Sequence, residues 1–261
     1  MPKLSVTQYV TLALGCRQGK RCLPSAAAAH CSHHAEPRFA ALDCGGGFTL
    51  TCIAGAINAV GFLGIHHQAL SHLSGTGTIL STELALGRFA GAAHAALVLG
   101  WFFLGSVLSG MIISQSTLRA GRGYGVALAG ESLLLFGAAY FLGHGSNFGD
   151  YLAAMACGLQ NAMTTSYSGA VIRTTHITGI ITDLGIAVGH AARREPVDHR
   201  RVILFTVLVA GFLVGGVVGA FGFLAFGSDA LLFPATATGI AGVGYVLFKH
   251  CERKRLHRLA K

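Results

Sequence analysis

Long runs of apolar residues, separated by short polar or charged stretches, dominate the chain from about residue 47 onward. A membrane-spanning helix needs about 20 mostly apolar residues. Six segments reach or approach that length: Gly47 to Ile65, Gly91 to Ile113, Tyr124 to Gly143, Tyr151 to Tyr167, Val202 to Phe226 and Ala230 to Phe248. The pattern therefore predicts an all-α fold, a polytopic bundle of helices in a membrane.

Two further segments are shorter and more polar than these six. The first short segment runs from His72 to Gly87, and the second short segment runs from Thr175 to His190. Both contain glycine and several hydroxyl side chains. Irregular backbone is tolerated at membrane depth only where protein or a cavity satisfies it. Each segment is therefore interpreted either as a thin span or as a broken, partly re-entrant helix.

Two sequence blocks recur in the same order. GAINA (Gly55 to Ala59) matches GLQNA (Gly158 to Ala162) at an offset of 103 residues, and SHLSG (Ser71 to Gly75) matches THITG (Thr175 to Gly179) at 104. Two ordered matches at nearly one offset indicate a duplication. We therefore expect a membrane domain over residues 46–248, made of two homologous halves at about 46–144 and 150–248.

The number of crossings depends on the two short segments. If they do not cross, each half has three spans and the halves are inverted; if they cross, each half has four spans and the halves are parallel. Basic residues favour the cytoplasmic side. Eight arginines lie in the connections between the apolar segments. Six crossings place seven of them in the cytoplasm and only Arg88 outside. Eight crossings place five in the cytoplasm and three outside. We favour six full spans plus two short broken helices, with eight spans as the alternative.

Composition narrows the class of protein. Apolar residues make up 52% of the 261 residues and charged residues 11%, and the mean hydropathy is +0.60. A soluble domain carries roughly 25% charged residues, so a soluble enzyme is excluded. The net charge of +9 is concentrated at the two ends of the chain. This placement suits an anionic cytoplasmic membrane surface, so we expect both termini in the cytoplasm, an inner-membrane location and no nucleic-acid partner.

The ends of the chain differ from the membrane domain. Residues 1–45 are predicted to be a poorly ordered tail that contains cysteines and histidines, and residues 249–261 a basic cytoplasmic tail. The spacing of the tail cysteines fits no closed zinc pattern, so we predict no metal site. Those cysteines are Cys16, Cys22, Cys31 and Cys44.

Four blocks together carry a resemblance to a known family. They are AGAINAVGFLGI (Ala54 to Ile65), SHLSGTGT (Ser71 to Thr78), GLQNA and VIRTTHITGIIT (Val171 to Thr182). In this order they resemble the YoaK-type bacterial membrane family, a family whose domain has no known function. The resemblance covers about Gly47 to Phe248 and implies a multi-pass inner-membrane protein without a settled substrate. The family has Asp where Asn58 stands and Asn where Thr76 or Gly77 stands, which puts any proton or cation binding by that acid in doubt here.

Asn58 and Asn161 are the first candidate functional residues, because they are equivalent in the two matching blocks. Both are expected near the centres of their spans. An amide in hydrocarbon often only joins two helices, but repeat transporters place the solute site at the repeat interface near the midplane. Both interpretations, helix contact and solute pathway, stay open.

The starts of the two short segments form the second candidate group. Hydroxyl side chains cap helix N-termini, and a helix that begins inside the membrane offers free N–H groups to an anionic or polar solute. The two histidines titrate near neutral pH and are candidates for gating. The alternative is that these residues only satisfy an irregular loop. The residues are His72, Ser74, Gly75, Thr76, Thr175, His176, Thr178 and Gly179.

Charged residues within or beside the apolar segments complete the candidate pathway. Glu83 and Asp183 lie in the short segments, Glu131 lies in a predicted span, and Arg173 is placed to pair with Asp183 or to attract an anion. Acids inside a membrane are functional candidates by default. No hydrolase, metalloprotease or phosphate-loop motif is present, so we expect neither an enzyme nor a cofactor.

The sequence thus favours a transporter or channel for a small polar or anionic solute, embedded in the lipid bilayer. A non-transporting scaffold or assembly protein is the alternative. The sequence leaves a homo-oligomer open.

Overall fold

Helices account for nearly all of the chain that the structure describes. The computed structural model describes residues 37–64, 70–113, 122–167 and 174–259, and no strand occurs in these ranges. The helices are α1 (Pro37–Leu63), α2 (Leu73–Ala85), α3 (Phe89–Ile112), α4 (Arg122–Gly143), α5 (Phe148–Tyr167), α6 (Ile177–Ala192), α7 (His199–Phe226) and α8 (Leu232–Leu259). A 3-10 turn, Gly227–Leu231, joins the last two. The predicted all-α fold is confirmed.

The helix ends differ from the predicted ones at both ends of the membrane domain. Helix α1 begins at Pro37, inside the segment predicted to be a poorly ordered tail, and α8 continues to Leu259 through most of the predicted basic tail. Residues 1–36, with Cys16, Cys22 and Cys31, lie outside the described residues. The compact unit formed by Ala40–Lys261 contains all the contacts that follow.

Within the described ranges, four segments are long and apolar enough to cross a membrane. They are Cys44–Leu63, Phe89–Ile112, Gly123–Gly143 and His199–Cys251, of which the last contains α7, the 3-10 turn and most of α8. Helix α5 is 20 residues long but carries Gln160, Asn161 and Thr164, which the bundle buries wholly or in part. Helices α2 and α6, at the two short segments, have 13 and 16 residues. These apolar helices establish a membrane protein.

Glycines let several pairs of helices cross at backbone distance, most closely α1 with α7 and α3 with α5. In the crossing of α1 and α7, a Cβ atom on Gly55 would overlap the carbonyl oxygen of Phe212, and one on Gly215 would overlap that of Cys52. In the crossing of α3 and α5, Gly158 faces the carbonyl of Phe102 and Gly105 faces that of Met155. Small residues permit this approach in lipid, where packing rather than the hydrophobic effect joins helices.

The order of contacts along the helices gives their directions. Residue numbers rise together in α1 with α7 and in α3 with α5, so each of these pairs is parallel. The α1–α7 contacts are Gly47 with Leu208, Cys52 with Gly215 and Ala56 with Gly219. The α3–α5 contacts are His94 with Tyr151, Gly105 with Met155 and Ser106 with Gly158.

Helix α4 runs opposite to both α5 and α8. Its contacts with α5 are Gly130 with Leu159, Gly137 with Leu152 and Leu142 with Gly149. Its contacts with α8 are Gly125 with Val246, Leu128 with Gly242 and Ser132 with Gly239. The chain reverses between α7 and α8, where Gly222 lies against Ala230. Helices α1, α4 and α7 therefore point one way, and α3, α5 and α8 point the other way.

Two of the buried apolar clusters in the described part of the chain each include a leucine of α4. One contains Ile57, Leu135 and Leu231, and the other contains Leu128 and Met163. Many large apolar side chains face outward instead; Phe103, Leu133 and Leu224 are 66%, 73% and 76% exposed. Such an outer surface is suited to hydrocarbon rather than to water.

We predict that Gly105→Ala destabilises the protein, whereas Gly100→Ala in the same helix does not. A methyl group on Gly105 meets backbone of α5, while no described atom lies within 4 Å of a Cβ built on Gly100. Overpacking of this kind typically costs about 1–3 kcal/mol, which lowers the thermal unfolding midpoint measured in detergent. Equal midpoints for the two variants would contradict the close crossing.

Candidate functional site

Asn58 joins helix α1 to the residues just before α2. Its Nδ2 donates hydrogen bonds to Ser71 Oγ (2.6 Å) and to the Ala54 carbonyl (2.8 Å), and its Oδ1 accepts one from the backbone N–H of Ser71 (3.0 Å). Asn58 is 4% exposed and Ser71 is 6% exposed. We call this pair the first Asn clip. It anchors the start of α2 against the side of α1.

Asn161 makes the corresponding contacts between α5 and the start of α6. Its Nδ2 donates to Thr175 Oγ1 (2.6 Å), and its Oδ1 accepts from the Thr175 backbone N–H (3.3 Å) and from Thr174 Oγ1 (2.9 Å). We call Asn161 with Thr175 the second Asn clip. In both clips one amide binds the hydroxyl and the N–H of one residue.

The two amides lie in the C-terminal halves of their helices. Helix α1 ends five residues after Asn58, and α5 ends six residues after Asn161. Because α1 and α5 point in opposite directions, the two clips are displaced toward opposite ends of the bundle. The clips share no residue.

The predicted hydroxyl caps are also absent from α2 and α6. The N-cap residues are His72 and His176, and neither side chain accepts a capping hydrogen bond. The hydroxyls that precede them, those of Ser71 and Thr175, are bound by the Asn clips instead. Anchoring by a distant amide has replaced local capping.

The two histidines have different surroundings. His72 packs edge-on against Phe212 of α7, with ring centroids 5.7 Å apart, and its Nδ1 is buried without a hydrogen-bond partner among the described residues. His176 is exposed, and its ring lies against Gly179.

The other predicted residues of the short helices differ in exposure. Ser74, Gly75 and Thr178 are exposed, Thr175 and Gly179 are half-buried, and Thr76 is buried. Glycines 75 and 179 thus do not play matching roles, since only Gly179 is crowded by a neighbouring ring.

Two of the predicted acids form ion pairs, Glu83 toward the end of α2 and Asp183 in the middle of α6. Glu83 Oε1 lies 2.7 Å from Arg88 Nη2, and Asp183 Oδ2 lies 3.0 Å from Arg201 Nη2. Arg173, predicted as a partner of Asp183, lies outside the described residues. Neither acid approaches an Asn clip, so the structure does not bring the charged candidates and the amide candidates together.

Buried polar residues outside the candidate set make further contacts, among them His94, which the sequence indicates as a hydrogen-bonded core residue. Gln160 is fully buried; its Nε2 donates to the Leu50 carbonyl (3.3 Å), and its Oε1 accepts from Thr174 Oγ1 (3.4 Å). His94 Nδ1 lies 3.1 Å from the Tyr151 hydroxyl, and its Nε2 lies 3.8 Å from Asp150. For Asp150, the sequence signal was its position in the first turn of a helix, where a negative charge is favourable.

The two clips and the glycine crossings of α1 with α7 and of α3 with α5 all fall within one stretch that matches a protein-family model. A family model described as a protein of unknown function (DUF1275) matches residues 46–244. The chain belongs to this family. No curated protein and no solved structure matches it. The YoaK-type resemblance is consistent with DUF1275, and the family brings no assigned activity to the sites above.

For this DUF1275 protein we predict that Asn58→Leu loosens the start of α2. The substitution leaves the buried N–H and hydroxyl of Ser71 without partners, at a cost of about 1–3 kcal/mol. Hydrogen–deuterium exchange at residues 70–76 should accelerate, while Asn147→Leu in an exposed turn leaves exchange there unchanged. Unchanged exchange in Asn58→Leu would mean that the clip does not hold this segment.

Proposed function

We propose that this protein is an inner-membrane transporter or channel for a small polar or anionic solute. The observation that carries the proposal is the pair of short helices, α2 and α6, that begin beside the two Asn clips. Helix α2 runs antiparallel to α3, with Glu83 paired to Arg88. Helix α6 runs antiparallel to α7, with Asp183 paired to Arg201. Helices α2 and α6 therefore point toward opposite ends of the bundle.

The helix directions support an inverted two-half architecture. The first half would contain α1 to α4 and the second half α5 to α8. Helices α1 and α5 run in opposite directions, as do α3 and α7, and α4 and α8. The crossing residues follow the same correspondence, because Cys52 and Gly55 of α1 match Met155 and Gly158 of α5 at the offset of 103 that relates the sequence blocks.

Broken helices of this kind favour polar or anionic solutes. The first N–H groups of a helix have no partner within the helix, and the aligned peptide dipoles place partial positive charge there. In α2 and α6 no side chain caps these groups. Two such N-termini, entering from opposite faces, are the arrangement in which transporters bind substrates.

One observation favours the alternative, a scaffold without a pathway. Asn58 is buried, and its amide group is already bonded to Ser71 and Ala54. The two clefts described, of about 430 and 200 Å³, lie between α6 and α7 and include neither Asn58 nor Asn161. A scaffold protein needs only such buried, fully bonded amides to hold its helices together, and needs no cavity beside them.

The proposed six crossings predict that residue 147 faces the periplasm. We expect Asn147→Cys, in the turn between α4 and α5, to react with a membrane-impermeant thiol reagent in intact cells. Eight crossings would place it in the cytoplasm and protect it. Ser228→Cys and Arg194→Cys are the controls, since both topologies place residue 228 outside and residue 194 inside.

Water access to α2 and α6 decides between transporter and scaffold. We would place single cysteines at Gly75 and Thr178, both exposed in the structure, in a protein without its seven native cysteines. A small charged thiol reagent should label position 75 from the periplasm and position 178 from the cytoplasm. Gly100→Cys on the apolar face of α3 is the control and should stay unlabelled.

Silence at both positions, with position 147 still reactive, would contradict the transporter proposal. It would mean that α2 and α6 contact lipid or protein on every side, as the scaffold alternative requires.

A further inference from the structure

Glu131 is a carboxyl group inside the bundle that neither clip uses. It lies in the apolar part of α4, its side chain is fully buried, and neither carboxyl oxygen has a hydrogen-bond partner among the described residues. A buried polar group without a partner is rare and demands a physical explanation. An acid inside a membrane protein is a functional candidate for the same reason.

The surroundings of Glu131 are apolar on both sides along α4. Leu128, one turn before it, belongs to one buried cluster, and Leu135, one turn after it, belongs to the other. Cys157 of α5 is the titratable group that interacts with it electrostatically, and no basic side chain does so among the described residues.

Other titratable groups on the helices packed against α4 lie at other levels along those helices. Asp150 and Tyr151 stand in the first turn of α5 with His94 of α3 beside them, Asp229 stands in the 3-10 turn, and Tyr245 and Lys249 of α8 follow Gly242, which faces Leu128. On α4 itself, Tyr124 and Tyr140 flank the apolar stretch near its two ends. No positive charge is therefore placed to stabilise a carboxylate at residue 131.

An ionised carboxylate in such a site carries an uncompensated charge, and burial of an isolated charge is far more costly than burial of a neutral group. The carboxyl group is therefore neutral in the conformation seen here. It can release its proton only when water or a cation reaches it. Leu159 of α5 packs against Gly130, the neighbour of Glu131, and Cys157 of α5 lies close to the carboxyl group, so separation of α4 and α5 would give water access to it.

We propose that Glu131 is a proton-binding residue that holds a proton in the closed bundle and releases it to water when the α4–α5 interface opens. In the release step the O–H bond breaks, the proton goes to water, and a solvated carboxylate remains. Closing the interface requires the reverse step. The inference rests on the proposed function, because it makes the proton the coupling ion of a bundle that opens.

The test is infrared spectroscopy of the purified protein in lipid vesicles at increasing pH. A protonated carboxyl has a carbonyl stretching band distinct from the carboxylate bands, and only ten acidic residues contribute. We expect a band that disappears as the pH rises and that is missing in Glu131→Gln. Asp150→Asn, which removes the other deeply buried acid, is the matched control and should keep the band.

A cross-link shows whether release requires opening. Gly137→Cys and Leu152→Cys face each other across α4 and α5, and a disulfide between them, in a protein without native cysteines, holds the interface closed. The band should then persist at high pH and disappear again after reduction. This comparison uses the native Glu131, so it does not depend on how Glu131→Gln folds.

Two results would overturn the proposal. If no band changes with pH, Glu131 has a fixed protonation state; if the cross-linked protein titrates like the reduced one, release needs no opening. Labelling at positions 75 and 178 reports separately on the solute pathway. If positions 75 and 178 are labelled but Glu131 does not titrate, the proposed function stands and the proposal that Glu131 binds a proton is wrong.

Discussion

The structure depends on the contact of helix backbones at four glycines. Gly55 and Gly215 join α1 to α7, and Gly105 and Gly158 join α3 to α5. In lipid the hydrophobic effect does not drive apolar helices together, so close backbone packing must provide the attraction between them. These two crossings fix where α1 and α5 lie, and with them the amides that hold the short helices.

The Asn clips follow from that framework. Chain that enters a membrane without completing a helix must bond its N–H and C=O groups to something other than water. Asn58 and Asn161 do this for Ser71 and Thr175, and helices α2 and α6 begin directly afterwards. The same side chains that were proposed to line a pathway therefore have a structural role, since they anchor the residues before α2 and α6.

The helices were predictable from the apolar runs, which are local patterns, and the matching blocks drew attention to the two asparagines before their contacts were known. The hydrogen bonds that the two amides make were not predictable, because their partners lie 13 and 14 residues away across segments without a regular pattern. The hydroxyl caps were predicted from local preference, and a distant amide took their place. Glu131 stood out only as an acid in an apolar run; its burial without a partner is a property of the packed bundle.

The central claim is that α2 begins inside the membrane and runs outward. Spin labels at Gly75 and Leu84, both exposed, measure this through their relative access to oxygen and to a water-soluble relaxation agent. Nine residues of helix span about 14 Å, so position 75 should be markedly deeper than position 84. Equal depths at the two positions, as for a helix lying on the surface, would contradict the account. Water exposure at both ends of α2 with a buried middle, as for a full span, would also contradict it.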